Sequence, residues 1–178
     1  INGLNMTKHD QTHSRILNEA WSLFTESGFN DTSTRQISTA SGIAVGTLFN
    51  HFSDKVAILE ACLDMRFKDV LERAKETDIH RPPRLKLNHY AQYFYQFYCL
   101  HHRFYKVLFS QRLFSQTFQQ QHMDLMHSLV FADQPQFNKV KAAILLDCYF
   151  MTLLYGLGAD TPNTKLMLRT LSQKVSIF

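Results

Sequence analysis

The segment Ser33–Phe52, STRQISTASGIAVGTLFNHF, constrains this chain more than any other stretch. Ser33 with Gln36 three residues later is a capping-box pattern, in which each side chain satisfies a backbone amide of the other. It predicts a short helix to about Ala40, with Ile37 and Ala40 turned inward. Gly42 allows a tight turn and Ile43 plugs beneath it. A second short helix is expected from about Val45 to His51, anchored by Leu48 and Phe52. The pattern is helix, tight turn, helix.

Helical spacing of apolar residues runs through the rest of the chain. Ile16, Leu17, Ala20, Leu23 and Phe24 form one stripe, closed by Gly28 as a C-cap. Ser53 is expected to cap a long helix to about Asp78. Arg81-Pro82-Pro83-Arg84 then breaks the chain, because proline lacks an amide donor and restricts the residue before it. Beyond it, helices are predicted from Leu87 through Tyr98, over about 104–111 and 116–131, and over about 136–157 and 163–177. With 6 Gly and 4 Pro in 178 residues, turn residues are too scarce for an all-β chain. No stretch alternates for long enough to demand a strand. The expected fold class is all-α, with about nine helices.

Apolar residues make up 45% and charged residues 19%, which excludes intrinsic disorder as the main state. Cys62, Cys99 and Cys148 lie far apart with no CxxC, so buried free thiols in a cytoplasmic protein are expected rather than a disulfide framework. Residues 1–10 lack the apolar segment of a secretion signal. The most membrane-like run, 142–157, carries Asp147 and falls short of the ~20 residues that span a bilayer, so a core or interface helix is expected and no membrane partner. Residues 1–78 are net −3 and residues 79–178 net +7.

A helix-turn-helix places its second helix in the DNA major groove. Arg15-Ile16-Leu17, Ala20, Leu23-Phe24, Gly28-Phe29, Thr32-Ser33-Thr34, Ile37, Ser41-Gly42-Ile43, Gly46-Thr47-Leu48-Phe49, His51-Phe52 and Lys55 resemble, in order, the signature of the TetR family of bacterial transcriptional regulators. The resemblance covers about residues 14–60. It implies a DNA-binding domain over 1–56, a connecting helix at about 54–78, and a ligand-binding and dimerisation domain over 57–178. It further implies that Thr34 and Arg35 reach base edges or phosphates and that Val45, Gly46 and Thr47 open the recognition helix. Phe49, Asn50 and His51 would complete the DNA-facing set, and Lys55 would grip a phosphate. Three positions depart from the family's usual residues. Ala44 lacks the customary serine cap, Val45 replaces a polar reader, and Phe49 lacks a tyrosine hydroxyl. Residues 1–56 are net −1, so DNA affinity is expected to be modest at physiological salt.

In the C-terminal part, 11 of the 23 aromatic residues fall between Tyr90 and Phe118, more than one helix face can hold. They are expected to line a core, a cavity or an interface. By resemblance an effector binds among the fifth to eighth helices, bordered by Tyr90, Phe94, Phe97, Phe114, Cys148 and Met151. Candidate polar groups there are His89, Gln96, Arg112, His122, His127 and Asp147. The positive charge of this half favours a small apolar effector, neutral or anionic. The last two helices carry broad faces, with Val140, Ala143, Ile144, Asp147, Phe150, Met151 and Leu154 on one and Leu168, Leu171, Val175 and Phe178 on the other. That pair is expected to join its copy in a homodimer.

Cys99 with His102, and His122 with His127, lack the further ligands a metal site needs. No glycine-rich phosphate loop, nucleophile elbow or HExxH occurs. No metal, cofactor or enzymatic activity is expected. The function implied is a regulator, a repressor released from a palindromic operator. The alternative is a similar ligand-binding or interaction protein with weak or lost DNA binding.

Overall fold

The computed structural model describes residues 7–111 and 116–178, so the expectations for Arg112 and Phe114 fall outside the described residues. Among these residues there are nine helices and no strand. They fall into two compact units, residues 1–67 and 68–178, with the boundary inside the fourth helix.

In the first unit, α1 (Lys8–Ser27) starts at a capping box between Thr7 and Asp10. It ends at Gly28, whose φ of 89° suits glycine and whose amide bonds the Phe24 carbonyl. α2 (Thr34–Ala40) begins with the expected reciprocal Ser33–Gln36 cap. The chain then turns through Gly42, at φ 64°, into α3 (Val45–His51). α3 has no side-chain cap at Ala44, as the missing serine predicts. α4 (Lys55–Glu76) follows. Its N-cap is Asp54, not Ser53: the Asp54 carboxylate accepts the Ala57 amide at 2.8 Å, and the Ser53 hydroxyl donates to that same carboxylate. An ionised acceptor is the stronger cap and suits the helix's positive end.

Ile16, Ala20, Phe24, Ile37, Leu48, Ile58 and Leu59 make the core of this unit. Ala40, expected to face inward, is exposed. Ser38 and Ser41 take the buried places, because the turn closes through the Ile43 amide on the Ser38 carbonyl. The Cys62 thiol is buried and bonds the Leu17 carbonyl, and burial pushes its pKa up to about 12. Such a thiol is inert packing.

The second unit holds α5 (Pro83–Leu100), α6 (His102–Gln111), α7 (Gln116–Phe131), α8 (Lys139–Gly158) and α9 (Thr164–Lys174). Pro82 and Pro83 start α5, where a missing amide donor costs nothing. α5 packs on α7, α8 and α9. α8 has 20 residues and is long and apolar enough to cross a membrane by length and composition alone. In this fold Leu145, Leu146, Tyr149, Leu153 and Leu157 bury one side of it.

α9 differs from its expected role. Leu171 and Val175 are fully buried and Leu168 is half-buried, leaving only Phe178 of the proposed seam exposed. The heptad-like spacing is satisfied by α5 and α8 of the same chain, since a helix stripe meets whatever apolar surface is nearest. On α8, by contrast, Val140, Ile144, Met151 and Tyr155 remain exposed at 41–74%. They lie four or seven residues apart and form one outward stripe.

Candidate nucleic-acid interface

α2 and α3 are seven residues each, so their inner faces are narrow. Ile37, Leu48 and Phe52 occupy them. The remaining side chains have one direction left. Arg35, Val45, Gly46, Phe49 and Asn50 are exposed, and Thr34, Thr47 and His51 half-buried. The residues singled out from sequence on these two helices therefore do share an outer surface. Val45 and Phe49 present apolar tips, at 37% and 47% exposure, which suit methyl and sugar contacts rather than hydrogen bonds.

The Lys55 ammonium donates to the carbonyls of Phe29 at 2.6 Å, Thr32 at 2.7 Å and Asn30 at 3.4 Å, and lies 4.3 Å over the Phe29 ring. An ammonium has three protons, and all three are directed at the backbone. Burial lowers its pKa, opposed by Asp31. Lys55 thus ties the α1–α2 loop to α4, a structural role that the expected phosphate grip did not include.

His51 sits in a group that the motif does not reveal. Its ring centroid is 4.2 Å from that of His9 and 5.8 Å from that of His13, and His13 stacks on Phe52 at 4.7 Å. The His51 Nδ1 is buried without a hydrogen-bond partner. Burial, and then the neighbouring His9 and His13, lower the pKa of His51, favouring its neutral form. The i, i+4 spacing of His9 and His13 on α1 was the available signal, but only packing brings His51 to them.

In the second unit, Tyr90, Phe94 and Phe97 are buried together on α5, and Cys148 is half-buried. Met151 does not join them, being 41% exposed on the outer stripe of α8. Of the polar candidates, Gln96, His127 and Asp147 are exposed, whereas His122 is buried. The His122 Nδ1 is 3.2 Å from the Tyr98 hydroxyl, and its Nε2 is 2.8 Å from the Tyr149 hydroxyl. Tyr149 stacks on Tyr95, whose hydroxyl donates to the Tyr149 carbonyl at 2.7 Å. Burial lowers the His122 pKa to about 4. The imidazole is therefore neutral, with one nitrogen donating and the other accepting. Tyr90 is raised to about 12 by burial, and then by the Asp78 carboxylate.

A cavity of about 310 Å³ lies in this unit between α8 and α9. Thr152, Tyr155, Gly156, Leu166, Met167 and Lys174 line it. The Lys174 ammonium donates to the Thr152 hydroxyl at 3.0 Å.

Residues 16–62 match the family model of bacterial regulatory proteins, tetR family. The helix-turn-helix end of the chain is thus similar to that family. The HTH-type transcriptional regulator UidR of Escherichia coli is 36% identical over 70 residues, which is 39% of this chain and 36% of that protein. The match thus spans about a third of that protein's length. Over the whole fold, the chain is similar to Thermus thermophilus FadR, a TetR-family repressor solved with lauroyl-CoA. That likeness has a TM-score of 0.70 at 18% identity, covering 93% of this chain and 92% of that one. Bacillus subtilis FadR, solved with stearoyl-CoA, has a TM-score of 0.62 at 15% identity, covering 93% and 99%. At these identities the structural likeness establishes the tetR-family fold.

Proposed function

We propose that this chain is a tetR-family regulator, a cytoplasmic, non-enzymatic repressor: a homodimer that binds a palindromic operator and is released by a small apolar effector, neutral or anionic. The observation that carries the reading is the outer surface of α2 and α3, where Arg35, Val45, Phe49 and Asn50 stand exposed above Ile37, Leu48 and Phe52. Thr34, Gly46, Thr47 and His51 complete the DNA-facing set. Arg35 supplies the bidentate donor for a guanine or a phosphate. The exposed stripe Val140, Ile144, Met151 and Tyr155 supports dimerisation through α8, with exposed Leu166 on α9 beside it. The aromatic surroundings of Tyr90, Phe94 and Phe97 support an apolar effector, and the two FadR relatives make a fatty acyl thioester the first to try. The effector acts only if it binds the non-operator state more tightly.

The test is a gel shift with the DNA upstream of the protein's own gene, with and without lauroyl-CoA. Retardation relieved by the thioester supports the reading. Absence of any shift at low salt overturns it in favour of a ligand-binding protein without DNA recognition, which the apolar tips of Val45 and Phe49 and the uncapped start of α3 favour.

A further inference from the structure

The connection from α4 to α5 brings together three metal-ligating side chains that sequence spacing does not group: Asp78, His80 and His89. One ligand atom from each lies within 4.8 Å of the other two, and all three residues are half-buried. We propose that these residues bind a divalent transition-metal ion of the zinc, cobalt or nickel class.

The hydrogen bonds around the histidines set their lone pairs. The His89 Nε2 lies 2.7 Å from the Ala74 carbonyl oxygen. A carbonyl only accepts, so Nε2 carries the proton and Nδ1 keeps the lone pair. The His80 Nδ1 lies 3.2 Å from Asp78 Oδ1, and the His80 backbone amide bonds the same oxygen at 3.0 Å. Nδ1 and Oδ1 thus face one point between them, so a bound ion would take the place of the shared proton with His80 Nδ1 and Asp78 Oδ1 as ligands. Metal-bound histidines usually donate their other N–H to a carbonyl or carboxylate, which fixes tautomer and ring orientation. His89 already has that support without a metal. Their ring centroids are 5.2 Å apart.

The charges are also suited. Lys86 is 3.9 Å from Asp78 Oδ2 but only 2.6 Å from Asp133 Oδ2, so its main partner is Asp133. Two carboxylates and one ammonium leave one formal negative charge beside the two imidazoles. Tyr90 and Tyr93 flank His89, each with a ring centroid 5.3 Å away, and limit water on that side. Two imidazoles and one carboxylate select the borderline metals over magnesium or calcium. Metal–nitrogen bonds of about 2.0–2.1 Å put tetrahedral ligands roughly 3.4 Å apart. His80 Nδ1 and Asp78 Oδ1 already stand near that spacing, 3.2 Å apart.

The experiment uses the full chain stripped by chelator and titrated with Zn²⁺ by calorimetry and with Co²⁺ by visible absorption. One equivalent per chain is expected. His80→Ala and His89→Ala should each weaken binding at least about tenfold, since losing even an outer partner costs 10–100-fold. His127→Ala, an exposed control, should change nothing. Should His89→Ala not fold, the unmodified protein decides: the Co²⁺ form should show two shifted imidazole N–H proton signals. Absence of binding, full binding in His80→Ala, or loss on replacing His9 instead would each overturn the proposal.

Discussion

The two compact units treat their helix faces in opposite ways. In the first, α2 and α3 have seven residues each, and a single turn of apolar side chains fills the inner face. Apart from Ser38, the side chains of these two helices other than Ile37 and Leu48 are exposed or half-buried, so position in the motif largely predicts exposure. In the second, α8 has 20 residues and apolar side chains on nearly every side. Its inner set (Leu145, Leu146, Tyr149, Leu153) and its outer stripe (Val140, Ile144, Met151, Tyr155) are chemically alike. Short helices with polar outer faces declare their orientation; long helices apolar all round do not.

The largest effect that would sharpen this contrast concerns Leu171 and Ile144. Leu171 is fully buried within the chain, so Leu171→Glu should destabilise the second unit by on the order of 4 kcal/mol or more. Ile144→Glu lies on the outer stripe and should leave the thermal midpoint of the monomer nearly unchanged, yet yield monomers in light scattering. If Leu171→Glu instead gives a folded monomer, α9 faces outward and the inner and outer assignments fall.

Acid should distinguish the buried histidine from the clustered ones. His122 has its pKa lowered from 6.5 to about 4 in the fold, so between these values the unfolded chain takes up a proton that the folded chain refuses. Stability is therefore complete above about pH 6.5 and is lost as pH falls toward 4, by roughly 3 kcal/mol for this group. Urea unfolding across that range measures it, and His122→Phe should flatten the slope even though it leaves the Tyr98 and Tyr149 hydroxyls short of a partner. An unchanged slope would show that His122 is not the group responsible.

Two cations on the first unit should behave differently, each by about 1–3 kcal/mol. Lys55→Ala removes hydrogen bonds from a charged donor to three carbonyls and should lower folding stability, while the salt dependence of DNA binding stays the same. Arg35→Ala should leave stability alone and weaken operator binding. Denaturation and salt-dependent gel shifts on both variants separate the roles. The smallest effect is a gain. Ala44→Ser restores the absent α3 cap and should stabilise the unit by about 1 kcal/mol, read as a higher thermal midpoint.

Much of the first unit was legible because its signals are local. The Ser33–Gln36 box, Gly28 and Gly42 at positive φ, and uncapped Ala44 each act within a few residues, and each stands where the sequence puts it. Ala40 was misplaced, and the backbone tie made by Lys55 was not legible, for the opposite reason. Their environments come from the way the turn closes on Ser38 and from carbonyls more than twenty residues away.

The sequence by itself determined the helical class, the break at Pro82-Pro83 and the identity of the residues on the outer side of the helix-turn-helix, since periodicity and backbone sterics need no distant partner. Tertiary structure decided which stripe of α8 and α9 is core, that His122 lies between two tyrosine hydroxyls, and that Asp78, His80 and His89 meet. Those outcomes depend on contacts between residues far apart in the chain, and apolar or imidazole side chains carry no label for which distant neighbour they will find.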